Sequence, residues 1–196
     1  MWVRRMFGLV AAIALATASV LAPVGAAVPV QWCTGPPSTT QSGRATLNPG
    51  LNGLATRQNI SVRISLLGCS PSAKTRGAGI LKGAFPTPSA QTCALITSPH
   101  VLTAPVTITW KNLQTSALSL TLSLTGRTRL VNVTGKVTSG LFAGHLVTGQ
   151  FHFTRVVSPH GYTVAEACAN TVAPGGIGRI SVVALNLFTT QRFVIT

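Results

Sequence analysis

Acidic residues are almost absent from this sequence of 196 residues, which contains no aspartate and a single glutamate, Glu166. Aspartyl dyads, the paired carboxylates of glycosidases and Ser-His-Asp triads all require carboxylates that the chain does not have. A Ser-His-Glu triad could use Glu166, but no G-x-S-x-G elbow precedes that residue. We therefore predict that the protein is not an enzyme and has no catalytic residues.

Closely spaced metal ligands are also missing. No two cysteines form a C-x-x-C pair, and the histidines form neither an H-x-H nor an H-x-x-x-H pair; they are His100, His145, His152 and His160. We expect no metal site and no cofactor. An unusual active site stays open as an alternative, and it would require His145, His152 or Glu166 to converge with a serine or threonine in a cleft.

Long apolar runs are confined to the N-terminus. Arg4 and Arg5 precede the apolar stretch from Met6 to Leu21, and Gly25-Ala26-Ala27 follows it. This order is typical of a secretory signal peptide, which we assign to residues 1–27 with cleavage after Ala26 or Ala27. Serine, threonine, glycine and arginine interrupt every later apolar run, so no membrane span is expected after signal removal. Residues 28–196 are then a single secreted or envelope-associated domain.

Four cysteines remain in the mature chain: Cys33, Cys69, Cys93 and Cys168. Their even number in an exported protein predicts two disulfides, because cysteines pair in oxidising compartments. Three connectivities are open from the count alone.

Positive charge dominates the surface chemistry. Fifteen lysines and arginines face one acid and give a net charge of +14, which falls to about +12 without Arg4 and Arg5. Such a chain attracts polyanions, and the attraction weakens as salt rises. We predict binding to an anionic envelope polymer or another polyanion, with five candidate residues: Lys74, Arg76, Lys82, Arg127 and Arg129. The cations are scattered singly, which favours a solvated surface.

Aromatic residues are few, and this limits what the charge can recognise. Trp110, Phe151 and Phe153 lie within strand patterns and are expected to face the core. Few rings are then left to stack on bases, so specific nucleic-acid recognition is not expected.

Apolar and polar residues alternate with a period of two along much of the chain, which is typical of half-buried strands. The connector Lys111–Ala117 joins two of these runs as an antiparallel hairpin. The predicted strand segments are Ile60–Leu66, Val106–Trp110, Leu118–Leu124, Leu130–Thr138, Leu146–Thr154, Arg179–Phe188 and Arg192–Thr196. Roughly eight to ten short strands without a convincing amphipathic helix predict an all-β, antiparallel β-sandwich of Ig-like architecture, with a closed β-barrel as the alternative.

Three segments are predicted to lie outside the main strands. Pro36–Ser42 is rich in proline, serine and threonine and is expected to be a loop. Asn48-Pro49-Gly50 is a turn signal. Ser70–Ala84 is basic and rich in glycine, so we interpret it as an exposed edge strand or a long loop.

Several punctuation motifs occur together in the mature chain: Cys33-Thr34-Gly35, Pro49-Gly50-Leu51, Ile108-Thr109-Trp110, the stretch from Gly135 to Gly144, and Cys168 ahead of Pro174-Gly175-Gly176. In this combination the chain resembles a group of small exported β-rich proteins of actinobacteria. It departs from them at Leu113, where a glycine is usual, and at His145, where an acid is common. The resemblance implies the fold and the compartment, and it implies that Cys33 pairs with Cys69 and Cys93 with Cys168.

Two functions follow from these observations. The first is a non-enzymatic secreted or envelope-associated protein whose basic surface binds anionic polymers. The alternative is a protein-interaction module or inhibitor that presents loops, such as Thr34–Arg44 or Ser70–Ala84, to a protein partner. Salt separates the two, because polymer binding weakens steeply with ionic strength whereas docking of a loop into a pocket persists.

Overall fold

Nine antiparallel strands make up most of the part of the chain that the structure describes. In a computed structural model of the chain, the residues described are 30–34, 42–157, 164–169 and 182–196. The strands are β1 (Gln31–Cys33), β2 (Gly43–Leu51), β3 (Asn59–Leu66), β4 (Gly79–Pro86), β5 (Pro99–Trp110), β6 (Thr115–Thr125), β7 (Leu130–Gly140), β8 (Leu146–Val157) and β9 (Val182–Ile195). Two short helices, α1 (Ala94–Thr97) and α2 (Val164–Ala169), lie in the connections β4–β5 and β8–β9.

All nine strands belong to one sheet, in the order β1-β9-β2-β3-β4-β5-β6-β7-β8. The last strand in this order, β8, also pairs with β9, so the sheet curls back toward its own beginning. The prediction of an all-β antiparallel fold is confirmed. The two packed sheets of an Ig-like sandwich are not confirmed, and the barrel alternative agrees in part with the curled sheet.

The curled sheet has two ends, and a disulfide lies at each. The end that carries the connections β3–β4, β5–β6 and β7–β8 is called the Trp110 end, and the opposite one is called the α1 end. Cys33 is bonded to Cys69 at the Trp110 end, and Cys93, at the start of α1, is bonded to Cys168 of α2. The predicted pairing is confirmed, and two disulfides suit an oxidising compartment.

The Trp110 side chain is a large part of the buried core at the Trp110 end. Its side chain is 1% exposed, and its Nε1–H donates to Ser116 Oγ at 2.8 Å. The Phe142 ring packs edge-on against the indole, with 5.7 Å between the two ring centres. Gly79 lies against the indole, where an added Cβ would approach Cε3 within 2.8 Å. Phe151 and Phe153 are also buried, so the prediction that these aromatic side chains face the core is confirmed.

Asn48-Pro49-Gly50 is part of β2, so the prediction of a turn there is wrong. The β2–β9 register shifts between Thr46 and Leu51, and this irregularity takes up the proline. Proline is compatible with a strand at such a bulge because no regular ladder bond needs its missing N–H.

The interpretation of Ser70–Ala84 is only partly right. Its first half is a loop with a short 3₁₀ helix at Ser72–Lys74, but Gly79–Ala84 belongs to β4, which pairs with β3 and β5 and is not an edge strand. The two separate segments predicted near the C-terminus form the single strand β9 where they are described. Residues 1–27 and residues 36–41 of the predicted loop Pro36–Ser42 lie outside the described residues. In the part of the chain that is described, no helix has both the length and the apolar character needed to span a bilayer.

Leu113 occupies a strained position in the β5–β6 turn. Its φ is 71°, and its side chain is 84% exposed. A side chain in the left-handed region costs about 1–2 kcal/mol, and glycine removes that cost but loses more chain entropy. We expect Leu113→Gly to raise the free energy of unfolding by about 0.5–1 kcal/mol in urea denaturation. Leu113→Ala keeps the strained Cβ, and an equal gain from it would contradict the backbone explanation.

Candidate functional site

The five cations predicted to bind polyanions do not form one patch. Lys74 and Arg76 are exposed in the β3–β4 loop at the Trp110 end, where the Lys74 ammonium lies 6.0 Å from the Phe142 ring centre. Arg127 and Arg129 belong to the β6–β7 connection at the α1 end. Lys82 lies between the two ends, on the outer face of β4. The structure therefore separates the predicted set into three places.

Lys82 has cationic neighbours that the sequence interpretation did not group with it. Arg44 of β2 pairs in register with Arg63 of β3, and Arg63 pairs in register with Lys82 of β4. All three side chains are exposed, while the residues next to them along each strand point inward or are smaller. We call Arg44, Arg63 and Lys82 the cation row.

The backbone register extends this line toward β8. Arg44 also pairs with Asn186 of β9, and Asn186 pairs with Arg155 of β8. Cationic residues therefore occupy four of five consecutive strands at one level of the sheet.

The surroundings of the cation row are polar and carry no negative charge. Thr46 and Ser61 form the next pair in register on the outer face, and no acidic residue occurs in β2, β3 or β4. The single acid, Glu166, lies in α2 at the α1 end. Like charges placed directly opposite on neighbouring strands are destabilising, by about 0.2–1 kcal/mol for a pair. The row thus costs stability, and an anionic ligand would offset that cost.

Sequence reasoning missed the cation row because cross-strand register cannot be read from single positions. One signal was present: Arg44, Arg63 and Lys82 follow one another at equal intervals of 19 residues. In an antiparallel meander, two residues lie side by side on neighbouring strands when they are equally far from the turn that joins those strands. Equal spacing predicts the row only once the strand boundaries are known.

The histidines and Glu166 are spread over the described part of the fold. His145 lies in the β7–β8 turn at the Trp110 end, with its ring 6.5 Å from that of Phe142. His152 pairs with Leu130 toward the α1 end, and His100 Nδ1 lies 3.2 Å from the Ser98 carbonyl oxygen. His160 lies outside the described residues. Among residues 30–34, 42–157, 164–169 and 182–196, no three His, Cys, Asp or Glu side chains group as metal ligands would.

Comparison with family models, curated proteins and solved structures gave no match. The similarity to small exported proteins of actinobacteria therefore stays a prediction, and the chemistry of the cation row has to be inferred from its own geometry.

Proposed function

We propose that this is a non-enzymatic secreted or envelope-associated protein that binds an anionic polymer through the cation row. The observation that carries the proposal is the register of Arg44, Arg63 and Lys82, which places three exposed cations side by side with no acid on their strands. Scattered solubilising charges have no reason to be in register, and neighbouring like charges lower stability.

The spacing of the cation row matches a polymer with closely spaced phosphate or carboxylate groups. Neighbouring strands lie about 4.8 Å apart, so the backbone positions of Arg44 and Lys82 are about 10 Å apart. Two arginines can each grip an oxyanion with two parallel hydrogen bonds, and lysine adds a point charge. The hydroxyl groups of Thr46 and Ser61 lie beside the row and can donate to the same ligand.

Strand pairing and the disulfides indicate the fold and the compartment in which the cation row would act. We propose a closed barrel, supported by the pairing of β9 with both β2 and β8. A closed barrel gives the cation row a stiff outer wall, because each of its three residues is paired with a neighbouring strand on both sides. The two disulfides support a location outside the cytoplasm, where anionic envelope polymers occur.

Two variants with the same loss of charge test the cation row. Arg44→Gln/Arg63→Gln/Lys82→Gln removes the row, and Lys111→Gln/Lys136→Gln/Arg192→Gln removes three exposed cations elsewhere. We expect the row variant to elute from polyphosphate and heparin resins at clearly lower salt than the control variant. The slope of log affinity against log salt is negative, and it should become shallower by about 2–3 in the row variant. This change is close to one unit for each lost contact.

Two further results would decide against the proposal. Equal losses in the two triple variants would mean that overall charge alone drives binding. Retention on an envelope fraction at high salt by the row variant would place the binding site elsewhere. The row variant is also expected to unfold at higher urea than the wild type at low salt, because it relieves the repulsion between neighbouring cations.

A second candidate function uses the loops at the Trp110 end. Leu113 is 84% exposed at the β5–β6 turn, and it lines an outer groove of about 460 Å³ together with Leu67, Ile80 and Lys111. Exposed apolar side chains of this kind favour a protein partner. Binding through this groove would persist at high salt and would be lost in Leu113→Ser, whereas binding through the cation row would not respond to that substitution.

A further inference from the structure

The interior of the sheet contains an apolar cavity of about 80 Å³, which we call the interior cavity. Strands β2 to β8 and helix α1 all contribute to its wall, and every lining side chain is apolar; examples are Leu47, Phe85, Ile96 and Phe151. A water molecule requires about 10–15 Å³ on the same measure, so the space is several waters in size. No lining group can hydrogen-bond to a water or to a polar ligand.

Two side chains show that packing is incomplete at this point. Val62 of β3 and Leu122 of β6 occupy inward positions in the alternation of their strands, yet both are only half-buried. Their neighbours on the same inward faces, Ile64 and Leu120, are 4% and 2% exposed. Val62 and Leu122 both line the interior cavity.

The hydrogen-bond ladder between β4 and β5 is short beside the interior cavity, although the two strands still touch at Gly83, where an added Cβ would lie 2.7 Å from the Pro105 carbonyl oxygen. The β4–β5 ladder ends at the pair Lys82 and Thr107, and beyond it residues 99–106 of β5 pair with β6 alone. Lys111 N donates to the Ala78 carbonyl, so the odd-numbered residues of β5 direct their backbone groups toward β4. Pro105 is the next odd-numbered residue, but proline has no backbone N–H. The ladder to β4 therefore lacks the donor that it needs at this position.

Helix α1 directly precedes the segment of β5 that has no partner in β4. It follows β4 directly, contacts β5, and contributes Leu95 and Ile96 to the lining of the interior cavity. The β6–β7 turn approaches it closely, since a Cβ on Gly126 would lie 3.0 Å from the Thr97 carbonyl oxygen. The missing rungs between β4 and β5 thus lie close in sequence to a helix of only four residues.

We propose that the interior cavity binds the aliphatic tail of an anionic amphiphile of the fatty-acid class. An apolar lining excludes a polar ligand, because a buried polar group without a partner is costly, whereas cavities of this kind accept hydrocarbon. The head group stays outside, where the exposed Lys82 ammonium stands at the last rung of the β4–β5 ladder. The volume accommodates the end of a chain, and the rest would pass between β4 and β5 beyond the last rung of their ladder. The site shares Lys82 with the cation row, but it does not rest on the proposed function, because the tail binds inside the sheet whereas a polymer would bind on its outer face.

Binding of straight-chain fatty acids of increasing length to the oxidised protein tests the proposal. Calorimetry should give one ligand per chain, with affinity rising about fourfold per added methylene until the cavity is filled. Fatty alcohols of equal length should bind more weakly, because they lack the charge that Lys82 attracts. Leu122→Phe and Val62→Phe fill the interior cavity and should each weaken binding at least tenfold. Leu146→Phe is the matched control, since Leu146 is 59% exposed at the Trp110 end.

Three results would overturn the proposal. The first is the absence of saturable binding by the wild-type protein, which requires no variant. The second is several ligands per chain with no dependence on chain length, which indicates adsorption to the basic surface. The third is unchanged affinity in whichever of Leu122→Phe and Val62→Phe retains the wild-type circular dichroism spectrum.

Discussion

Replacing Trp110 with alanine is expected to lower the free energy of unfolding by about 3–5 kcal/mol, the range for a large buried aromatic side chain. The indole is 1% exposed and packs against Gly79 and the Phe142 ring, so its removal leaves a cavity that neighbouring strands cannot close. The loss also leaves Ser116 Oγ without its donor. Urea denaturation followed by far-ultraviolet circular dichroism measures the change without relying on the missing fluorophore.

Trp110→Phe separates the two contributions. The smaller ring keeps most of the packing but loses the bond from Nε1 to Ser116, while Ser116 Oγ still donates to the Leu141 carbonyl at 2.5 Å. We expect this variant to lose less than half as much stability as the alanine variant, because a neutral hydrogen bond contributes about 1 kcal/mol. Equal losses would mean that the hydrogen bond, not the packing, fixes the indole.

Removing the Cys93–Cys168 disulfide is expected to be similarly severe. The bond joins residues 75 positions apart and encloses strands β5 to β8. In the chain-entropy model, loss of a crosslink over a loop of that length lowers stability by about 4 kcal/mol. Urea denaturation of Cys93→Ser/Cys168→Ser without reductant gives the value.

Cys33→Ser/Cys69→Ser is the comparison for this effect. Its loop spans 36 residues, so the same model predicts a loss smaller by about 0.6 kcal/mol. A larger loss for this shorter loop would contradict the loop-entropy explanation and would assign the difference to contacts made in the folded state.

Strand positions could be predicted where alternation is regular. Ile60–Leu66 and Leu118–Leu124 both lie within observed strands, β3 and β6, because one face of each is buried and the other is wet. Residues 179–188 and 192–196 were interpreted as two strands, but β9 is continuous where it is described, because strand pairing on its flanks overrides the polar residues between the two runs.

The curl of the sheet and the register of its strands could not be predicted from local pattern. The alternation of apolar and polar residues is the same in a sandwich and in a barrel, since both bury one face of every strand. Asn48-Pro49-Gly50 has the composition of a turn, and only the irregular β2–β9 pairing explains how it fits within a strand. The disulfide pairing was implied by resemblance, because the four cysteines alone allow three arrangements.

The candidate site was harder to predict than the fold. Lys82 was among the predicted cations, but its partners Arg44 and Arg63 become visible only when β2, β3 and β4 are placed in register. The interior cavity left no trace in composition, because Val62 and Leu122 look like ordinary core residues. Their incomplete burial becomes visible only once the strands are assembled into the sheet.

The pairing of β9 with both β1 and β2 has a consequence for the rate of folding. Gln31 pairs with Ile195 and Gly43 with Leu187, so these parts of the sheet can form only after the chain has been made as far as β9. Proteins dominated by such distant contacts fold in milliseconds to seconds, more slowly than those built from local ones. During that delay β2 has an unsatisfied edge, and the nascent chain is open to proteolysis and to pairing with other copies. How fast β9 docks, and not only how stable the product is, therefore governs the yield of folded protein.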